Sequence, residues 1–144
     1  MKSSETPKWF LDALAQRPDI KTVKIRGSKI LYNCWGEKNK PGLIFVHGGM
    51  AHADWWNFIT PYFLKTHRVI AMNLGGMGDS DWRKEYSTET WGLEIEGVCK
   101  KEKLKKPIII GHSLGGMCGV YAASIMKKNL YGLVIVDTAI LPPS

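Results

Sequence analysis

Short apolar runs alternate with longer amphipathic segments along most of the chain. From residue 42 onward there are four apolar runs that no polar residue interrupts. Continuous rather than alternating apolar runs are typical of strands covered on both faces, as in a parallel sheet. The runs are residues 43–46, 69–72, 108–110 and 133–136. We therefore predict four parallel strands.

Three segments of helical length lie between these runs, at residues 54–65, 88–103 and 114–128. In the second, Trp91, Ile95 and Val98 recur at i, i+4 and i+7, whereas the charged residues, Glu94 among them, fall largely elsewhere. Strand and helix in alternation predict right-handed crossovers and an α/β fold, with a mostly parallel open sheet and flanking helices. Ligands of such sheets bind beyond the carboxyl ends of the strands.

The first forty residues have a different pattern. We predict a short amphipathic helix at residues 9–15, then two β-like runs at 22–26 and 29–35 joined by a hairpin turn at Gly27 and Ser28. The chain contains no internal repeat and no linker rich in Pro, Gly or Ser. We therefore treat residues 1–144 as a single domain.

Composition narrows the class of protein. The 144 residues are 44% hydrophobic and 23% charged, a balance typical of one globular domain rather than of disordered, collagen-like or membrane-spanning chains. The net charge is +7, and the densest basic run is residues 100–106, at the end of a predicted helix. Because no aromatic residue interleaves with this run, we interpret it as a solvated helix end and expect neither a nucleic acid nor a membrane as partner.

The cysteines and the amino-terminal residues indicate in which cellular compartment we expect the protein. Cys34, Cys99 and Cys118 are too few and too scattered for a disulfide framework, and no His/Cys cluster has metal-ligand spacing. The amino-terminal residues lack the apolar run of a signal peptide. We expect a cytoplasmic protein without a metal or an organic cofactor.

One motif with chemistry in it follows the third apolar run directly. Gly111-His112-Ser113-Leu114-Gly115 matches G-x-S-x-G, with a predicted strand before it and a predicted helix after it. In this context the glycines allow a sharp turn that exposes the serine hydroxyl, and the helix start offers free N–H groups to an oxyanion. We predict Ser113 as a nucleophile; the alternative is a Gly/Ser loop that only starts a helix.

A second motif, at residues 45–50, follows the first apolar run. Acyl transfer needs two backbone N–H groups aimed at the developing oxyanion, and the candidates are those of Gly49 and Leu114. We interpret His47 as a buried imidazole that shapes the loop by hydrogen bonding rather than as a catalytic base, and we assign loop-shaping roles to Gly48 and His112 as well.

A third glycine-rich segment, residues 73–82, follows the second apolar run. Three glycines in four positions fit either a constrained loop or a phosphate cradle. Because the pattern of a P-loop or of a dinucleotide fold is missing, we interpret this segment as scaffold.

These motifs together resemble the alpha/beta hydrolase superfamily, specifically its serine-nucleophile, esterase-like branch. The resemblance extends from Trp9 through HGGMAHADWW, NLGGMGDSDW and GHSLGG to VIVDTA. It implies a nucleophile at Ser113 and oxyanion donors on the backbone of Gly49 and Leu114. One departure is Asn73, which stands where many members carry Asp.

A larger departure is a missing histidine. Members of this superfamily continue through a cap, an acid and a histidine, in the chain order Ser, Asp/Glu, His. No histidine follows Ser113, and the four present are His47, His52, His67 and His112. Of these, only His52 could act as a substitute base. We therefore expect a C-terminally truncated hydrolase domain whose catalytic histidine is absent from this chain.

Asp137 ends the last apolar run, and some members of the superfamily place the triad acid there while others use such an Asp to brace a loop. Both roles stay open. The function we expect is that of a serine hydrolase for small ester-like acyl substrates, weak or inactive in this truncated form; the alternative is a non-catalytic binding or interaction protein on the same scaffold. The last strand would form an edge that pairs with the missing C-terminal half or with a second copy.

Overall fold

The computed structural model describes residues 5–139, so the predicted domain of residues 1–144 extends past it at both ends. Across the described residues, none of the helices has the length and apolar character that crossing a bilayer requires. The elements are, in chain order, α1 (Lys8–Ala15), β1 (Asp19–Ile25), β2 (Ser28–Trp35), β3 (Gly42–Val46), β4 (Arg68–Met72), α2 (Thr88–Lys101), β5 (Ile108–His112), α3 (Leu114–Met126) and β6 (Gly132–Val136).

The six strands form one sheet in the order β1-β2-β4-β3-β5-β6. Strands β4, β3, β5 and β6 run parallel, whereas β1 and β2 join antiparallel at one side. The predicted mostly parallel open sheet with flanking helices is therefore confirmed. The carboxyl ends of the four parallel strands lie along one edge of the sheet, which we call the carboxyl edge; their starts form the amino edge.

Apolar side chains cover both faces of the central strands. Every residue of β3 and β4 is buried, as the continuous apolar runs predict. Ile44 and Ile70 pack with α2 and α3 on one face, and Phe45 packs on Trp56 on the other. Strand β6 differs, because Val134 remains 48% exposed. The prediction of coverage on both faces is therefore wrong for β6, which has a neighbour on one side only within residues 5–139.

The predicted helix at residues 54–65 is wrong. The segment instead contains two short 3-10 helices, Ala53–Trp56 and Thr60–Phe63. Pro61 lies in the first turn of the second one, where its missing N–H is harmless. In the middle of one long α-helix the same proline would remove a hydrogen bond and clash with the preceding turn.

The β1–β2 hairpin turns one residue earlier than predicted. Ile25 pairs with Ser28, so Arg26 and Gly27 form the turn, with φ angles of +48° and +85°. A two-residue turn with both central residues at positive φ matches the right-handed twist of the strands that it connects. Ser28 therefore belongs to β2 rather than to the turn.

A buried carboxylate ties the end of α2 to the amino edge of the sheet. Glu102, whose side chain is 6% exposed, accepts hydrogen bonds from Arg68 (2.5 Å), Tyr32 (2.7 Å) and Lys21 (3.1 Å). Burial alone would raise the pKa of this carboxyl, but the hydrogen bonds from Arg68, Tyr32 and Lys21 lower it to about 2. Glu102 therefore stays ionised and holds strands β1, β2 and β4 against the helix end.

We expect Glu102→Gln to lower the free energy of unfolding by about 3 kcal/mol, because it leaves the buried Arg68 guanidinium without a counter-charge. The matched control is Glu96→Gln, which removes an i,i+4 pair with the exposed Lys100 and should cost less than about 0.5 kcal/mol. Urea unfolding of both variants and the wild type at neutral pH measures the difference. Equal losses in the two variants would contradict the role of Glu102.

The pH dependence of the free energy of unfolding provides a second test of the ion pair between Glu102 and Arg68. A carboxyl whose pKa falls from 4.5 to about 2 on folding contributes stability that is complete above pH 4.5 and is lost as the pH falls toward 2. Across that interval the wild type should therefore lose more stability than Glu102→Gln does.

Candidate active site

Ser113 occupies the turn between β5 and α3 in a backbone conformation that non-glycine residues rarely adopt, with φ of 49° and ψ of −117°. Its N–H donates to the carbonyl of Val136 (2.9 Å), and its own carbonyl accepts from the N–H of Gly116 and the hydroxyl of Thr138, each at 2.9 Å. The side chain makes no capping hydrogen bond to the helix. Neighbouring elements thus fix the backbone and leave the hydroxyl uncommitted.

Glycines let α3 start very close to the strands. A Cβ on Gly111 would overlap the carbonyl of Gly115, and a Cβ on Gly115 would overlap the carbonyls of Val46 and His47. A Cβ on Gly116 would overlap the hydroxyl of Thr138. The G-x-S-x-G pattern is therefore required by packing against the sheet as well as by the turn.

The loop after β3 lies against this turn. A Cβ on Gly48 would lie 2.9 Å from Nδ1 of His112 and 3.4 Å from Cβ of Ser113, and a Cβ on Gly49 would lie 3.9 Å from Cδ2 of Leu114. The structure therefore brings together five of the residues that the sequence singles out. We call this set the elbow cluster; it comprises Gly48, Gly49, His112, Ser113 and Leu114.

His47 lies beneath the same loop and is completely buried. The N–H of Leu74 donates to its Nε2 (3.1 Å), so Nδ1 carries the proton and donates to the carbonyl of Gly48 (2.7 Å). Burial lowers the pKa of the imidazole, which keeps it neutral. Both ring nitrogens are engaged with backbone groups, and they link the loops that follow β3 and β4.

The glycine-rich loop after β4 is held by side chains. Asn73 accepts a hydrogen bond from the N–H of Ala53 through Oδ1 (2.6 Å), a bond that an aspartate could also accept. The fully buried Glu94 accepts from the N–H of Gly75 (2.7 Å) and from Nε of Arg83 (2.8 Å). Burial raises the pKa of Glu94, while those two donors lower it.

The buried Glu94 and its partner Arg83 were missed by the sequence interpretation, which left Glu94 off the apolar face of the helix. The spacing of Glu94 from the apolar residues of α2 could have indicated that its side chain is buried. Glu94 lies three residues after Trp91 and four before Val98, on the same side of α2.

Asp137 lies beside the elbow cluster at the carboxyl edge. It follows β6, is exposed, and has a φ of 50°. Its two sequence neighbours, Val136 and Thr138, both hydrogen-bond to the backbone of Ser113. Strand β6, which forms from the last apolar run, therefore ends next to the end of β5, which forms from the third.

The other two histidines lie elsewhere. His52 is half-exposed, 4.0 Å from a carboxylate oxygen of Asp54, and lines a 360 Å³ hollow that includes Asn73. His67 precedes β4 at the amino edge and contacts the hydroxyl of Thr66 (2.7 Å). Within residues 5–139, no histidine hydrogen-bonds to the hydroxyl of Ser113.

Comparison with known proteins agrees with this geometry. The family model described as alpha/beta hydrolase fold matches residues 41–144. Human Epoxide hydrolase 4 is 25% identical over 118 residues, which cover 80% of this chain and 33% of that protein. A putative esterase/lipase of Haemophilus influenzae is 25% identical over 104 residues, which cover 72% of this chain and 36% of that protein.

A solved structure gives the same result. The thioesterase domain from the curacin biosynthetic pathway superposes with a TM-score of 0.77 at 25% identity, over 88% of this chain and 48% of that one. The chain thus spans between a third and a half of the length of these similar proteins. The matched model, the sheet order and the strand–Ser–helix turn agree, and the chain belongs to the alpha/beta hydrolase fold family.

Proposed function

We propose that this chain carries the nucleophile half of a serine hydrolase that acts on small ester-like acyl substrates. The observation that supports this most directly is the strained backbone of Ser113 with the Gly48–Gly49 loop packed against it. Backbone strain that several neighbouring elements maintain is typical of functional sites. A serine that only started a helix would have no need of positive φ.

In the proposed mechanism, Oγ of Ser113 attacks the acyl carbon and the carbonyl oxygen becomes an oxyanion. The N–H groups of Gly49 and Leu114 donate to that oxyanion. Leu114 is the first residue of α3, where N–H groups have no acceptor within the helix. The positive end of the helix dipole adds to the stabilisation of negative charge there.

An acyl substrate fits the elbow better than an epoxide does, although one relative is named an epoxide hydrolase. The epoxide-hydrolase branch requires a carboxylate nucleophile, and the residue at the turn is a serine. The relative from Haemophilus influenzae, named a putative esterase/lipase, favours the same choice.

The acid and the base complete the proposal. Asp137 is our candidate for the triad acid because its neighbours on both sides contact Ser113. We assign the base to a histidine on polypeptide that this chain does not contain, either a C-terminal half or a partner chain that pairs with β6. Without it, only the oxyanion hole and substrate binding remain, and these give about 10³–10⁴-fold acceleration over water.

A second candidate function is that of a non-catalytic binding protein on the hydrolase scaffold. The observation that favours it is that, within residues 5–139, no histidine hydrogen-bonds to the hydroxyl of Ser113.

We expect a fluorophosphonate probe to add one adduct, slowly, to the wild-type chain and none to Ser113→Ala, because the hydroxyl of Ser113 is the nucleophile. Ser124→Ala is the matched control, since it removes an exposed hydroxyl on the same helix that donates only to the carbonyl of Tyr121. Intact-mass spectrometry measures the adduct. Equal labelling of the wild type and Ser113→Ala would contradict the proposal.

The same probe separates the two candidate functions when it is combined with hydrolysis of a short p-nitrophenyl ester. If a longer protein that includes the downstream half is labelled and hydrolyses the ester, the hydrolase is supported even where the short chain is inert. If the longer protein also fails in both assays, the binding protein is supported instead.

We expect Gly49→Pro to slow labelling of Ser113 by about 10²–10³-fold, because proline removes one of the two proposed oxyanion donors. Gly49→Ala keeps the N–H and places its Cβ at an ordinary 3.9 Å from Leu114, so it should label within a few-fold of wild type. Labelling rates are compared after thermal melting has shown that both variants are folded. Equal rates for the two variants would exclude Gly49 as a donor.

A further inference from the structure

Lysines that are far apart in the sequence converge at the amino edge of the sheet. Three hollows of 330, 530 and 390 Å³ adjoin there, and Lys103 lines all three. Lys38 and Lys105 each line two of them. We call the surface formed by these three hollows the lysine basin.

The basin collects most of the chain's excess charge. Eight lysines and two glutamates line it, an excess of six positive charges in a chain whose net charge is +7. Residues 100–106, which the sequence predicts to be a solvated helix end, are one element of this surface. The fold adds Lys21 from β1, and Lys38 and Lys40 from the connection between β2 and β3.

Carboxylates neutralise only a minority of these lysines. Lys100 pairs with Glu96 (2.8 Å), Lys40 with Glu37 (3.0 Å), and Lys21 with Glu102, which Arg68 also neutralises. Five exposed lysines have no carboxylate within 4.0 Å among residues 5–139. They are Lys38, Lys101, Lys103, Lys105 and Lys106. Such a concentration of like charge attracts anions.

The backbone at Lys103 adopts a conformation that glycine usually occupies. The N–H of Lys103 donates to the carbonyl of Lys100 and that of Leu104 to the carbonyl of Cys99, which is the Schellman pattern of a helix end. Lys103 therefore occupies the left-handed position that glycine normally fills, with φ of 54°. A lysine there strains the backbone, and strain of this kind is often associated with function.

The lining restricts the kind of ligand. Tyr32 is the one aromatic residue among the lining residues, and it is buried with its hydroxyl on Glu102, so no ring is available on which a base could stack. Single-stranded nucleic acid is disfavoured on that ground. The three hollows are open to solvent, and each has room for a compact ligand. Lysine ammonium groups are well suited to phosphates as mobile point charges.

We propose that the lysine basin binds a compact ligand that carries several phosphate groups, with Lys38, Lys103 and Lys105 as its main contacts. The site lies at the amino edge, whereas the elbow cluster lies at the carboxyl edge, so it is separate from the proposed hydrolase site. The polyphosphate could be a soluble molecule or the headgroup of a lipid, since both present the same chemistry.

Calorimetric titration of the full chain with inorganic tripolyphosphate tests the proposal. We expect saturable binding that weakens as the salt concentration rises, and a Kd at least tenfold higher in Lys103→Gly. Glycine at this position relieves the positive φ, so the variant should melt at the same temperature as the wild type or above it. The loss of affinity therefore cannot be attributed to unfolding.

A charge-matched pair of double variants separates a site from general electrostatic attraction. Lys38→Ser with Lys105→Ser should weaken binding by at least tenfold. Lys24→Ser with Lys84→Ser removes the same charge from exposed positions outside the basin and should leave the Kd within about twofold. Equal weakening by the two double variants overturns the proposal, and so does a lack of saturable tripolyphosphate binding to the wild type.

Two further ligands distinguish the sources. Phosphatidylcholine vesicles that contain phosphatidylinositol bisphosphate should bind, and tripolyphosphate should release them, if the ligand is a lipid headgroup. Tripolyphosphate binding without vesicle binding supports a soluble ligand. If a single-stranded oligonucleotide binds through Lys38 and Lys105 and tripolyphosphate does not, the proposal is overturned in favour of nucleic acid.

Discussion

The first turn of α3 lies closer to the sheet than a side chain permits, and the geometry of the candidate site depends on that approach. A Cβ on Gly115 would overlap the carbonyl of Val46 at the end of β3. Because the helix starts there, the chain must turn sharply at Ser113, which adopts φ of 49°. The same approach places the helix start beside Gly49. The strain at Ser113 and the closeness of Gly49 to the helix start are thus two consequences of one packing contact.

Strand β6 supports this contact from the other side. The carbonyl of Val136 accepts the N–H of Ser113, and Thr138 donates to the carbonyl of the same residue. Within residues 5–139 β6 is also an edge strand whose Val134 is 48% exposed. An edge of this kind favours pairing with further polypeptide. Any strand that joined β6 would therefore stabilise the element that holds the backbone of Ser113.

Local patterns predicted the features that depend on local burial. The apolar runs predicted the parallel strands β3 to β6, and the strand–Ser–helix pattern predicted the turn at Ser113. Features that depend on distant residues were missed. The buried Glu94 has hydrogen-bond donors from a distant loop, the side chain of Arg83 and the N–H of Gly75, and Lys38 joins Lys103 only through the fold. Periodicity along one helix does not reveal such partners. The length of the segment at residues 54–65 suggested a helix, but Pro61 is incompatible with the middle of one.

The charged groups of the amino edge lie a full strand length away from Ser113 at the carboxyl edge. At the amino edge Glu102 is committed to Arg68, so its negative charge does little to offset the lysines above it. The strands between the edges have five residues each, a length of about 17 Å. Interactions between solvent-exposed charges are largely screened beyond about 8 Å at physiological salt. A polyphosphate in the lysine basin would therefore lie about two screening lengths from Ser113, and it would change the electrostatic field there far less than a charge placed beside the elbow cluster would.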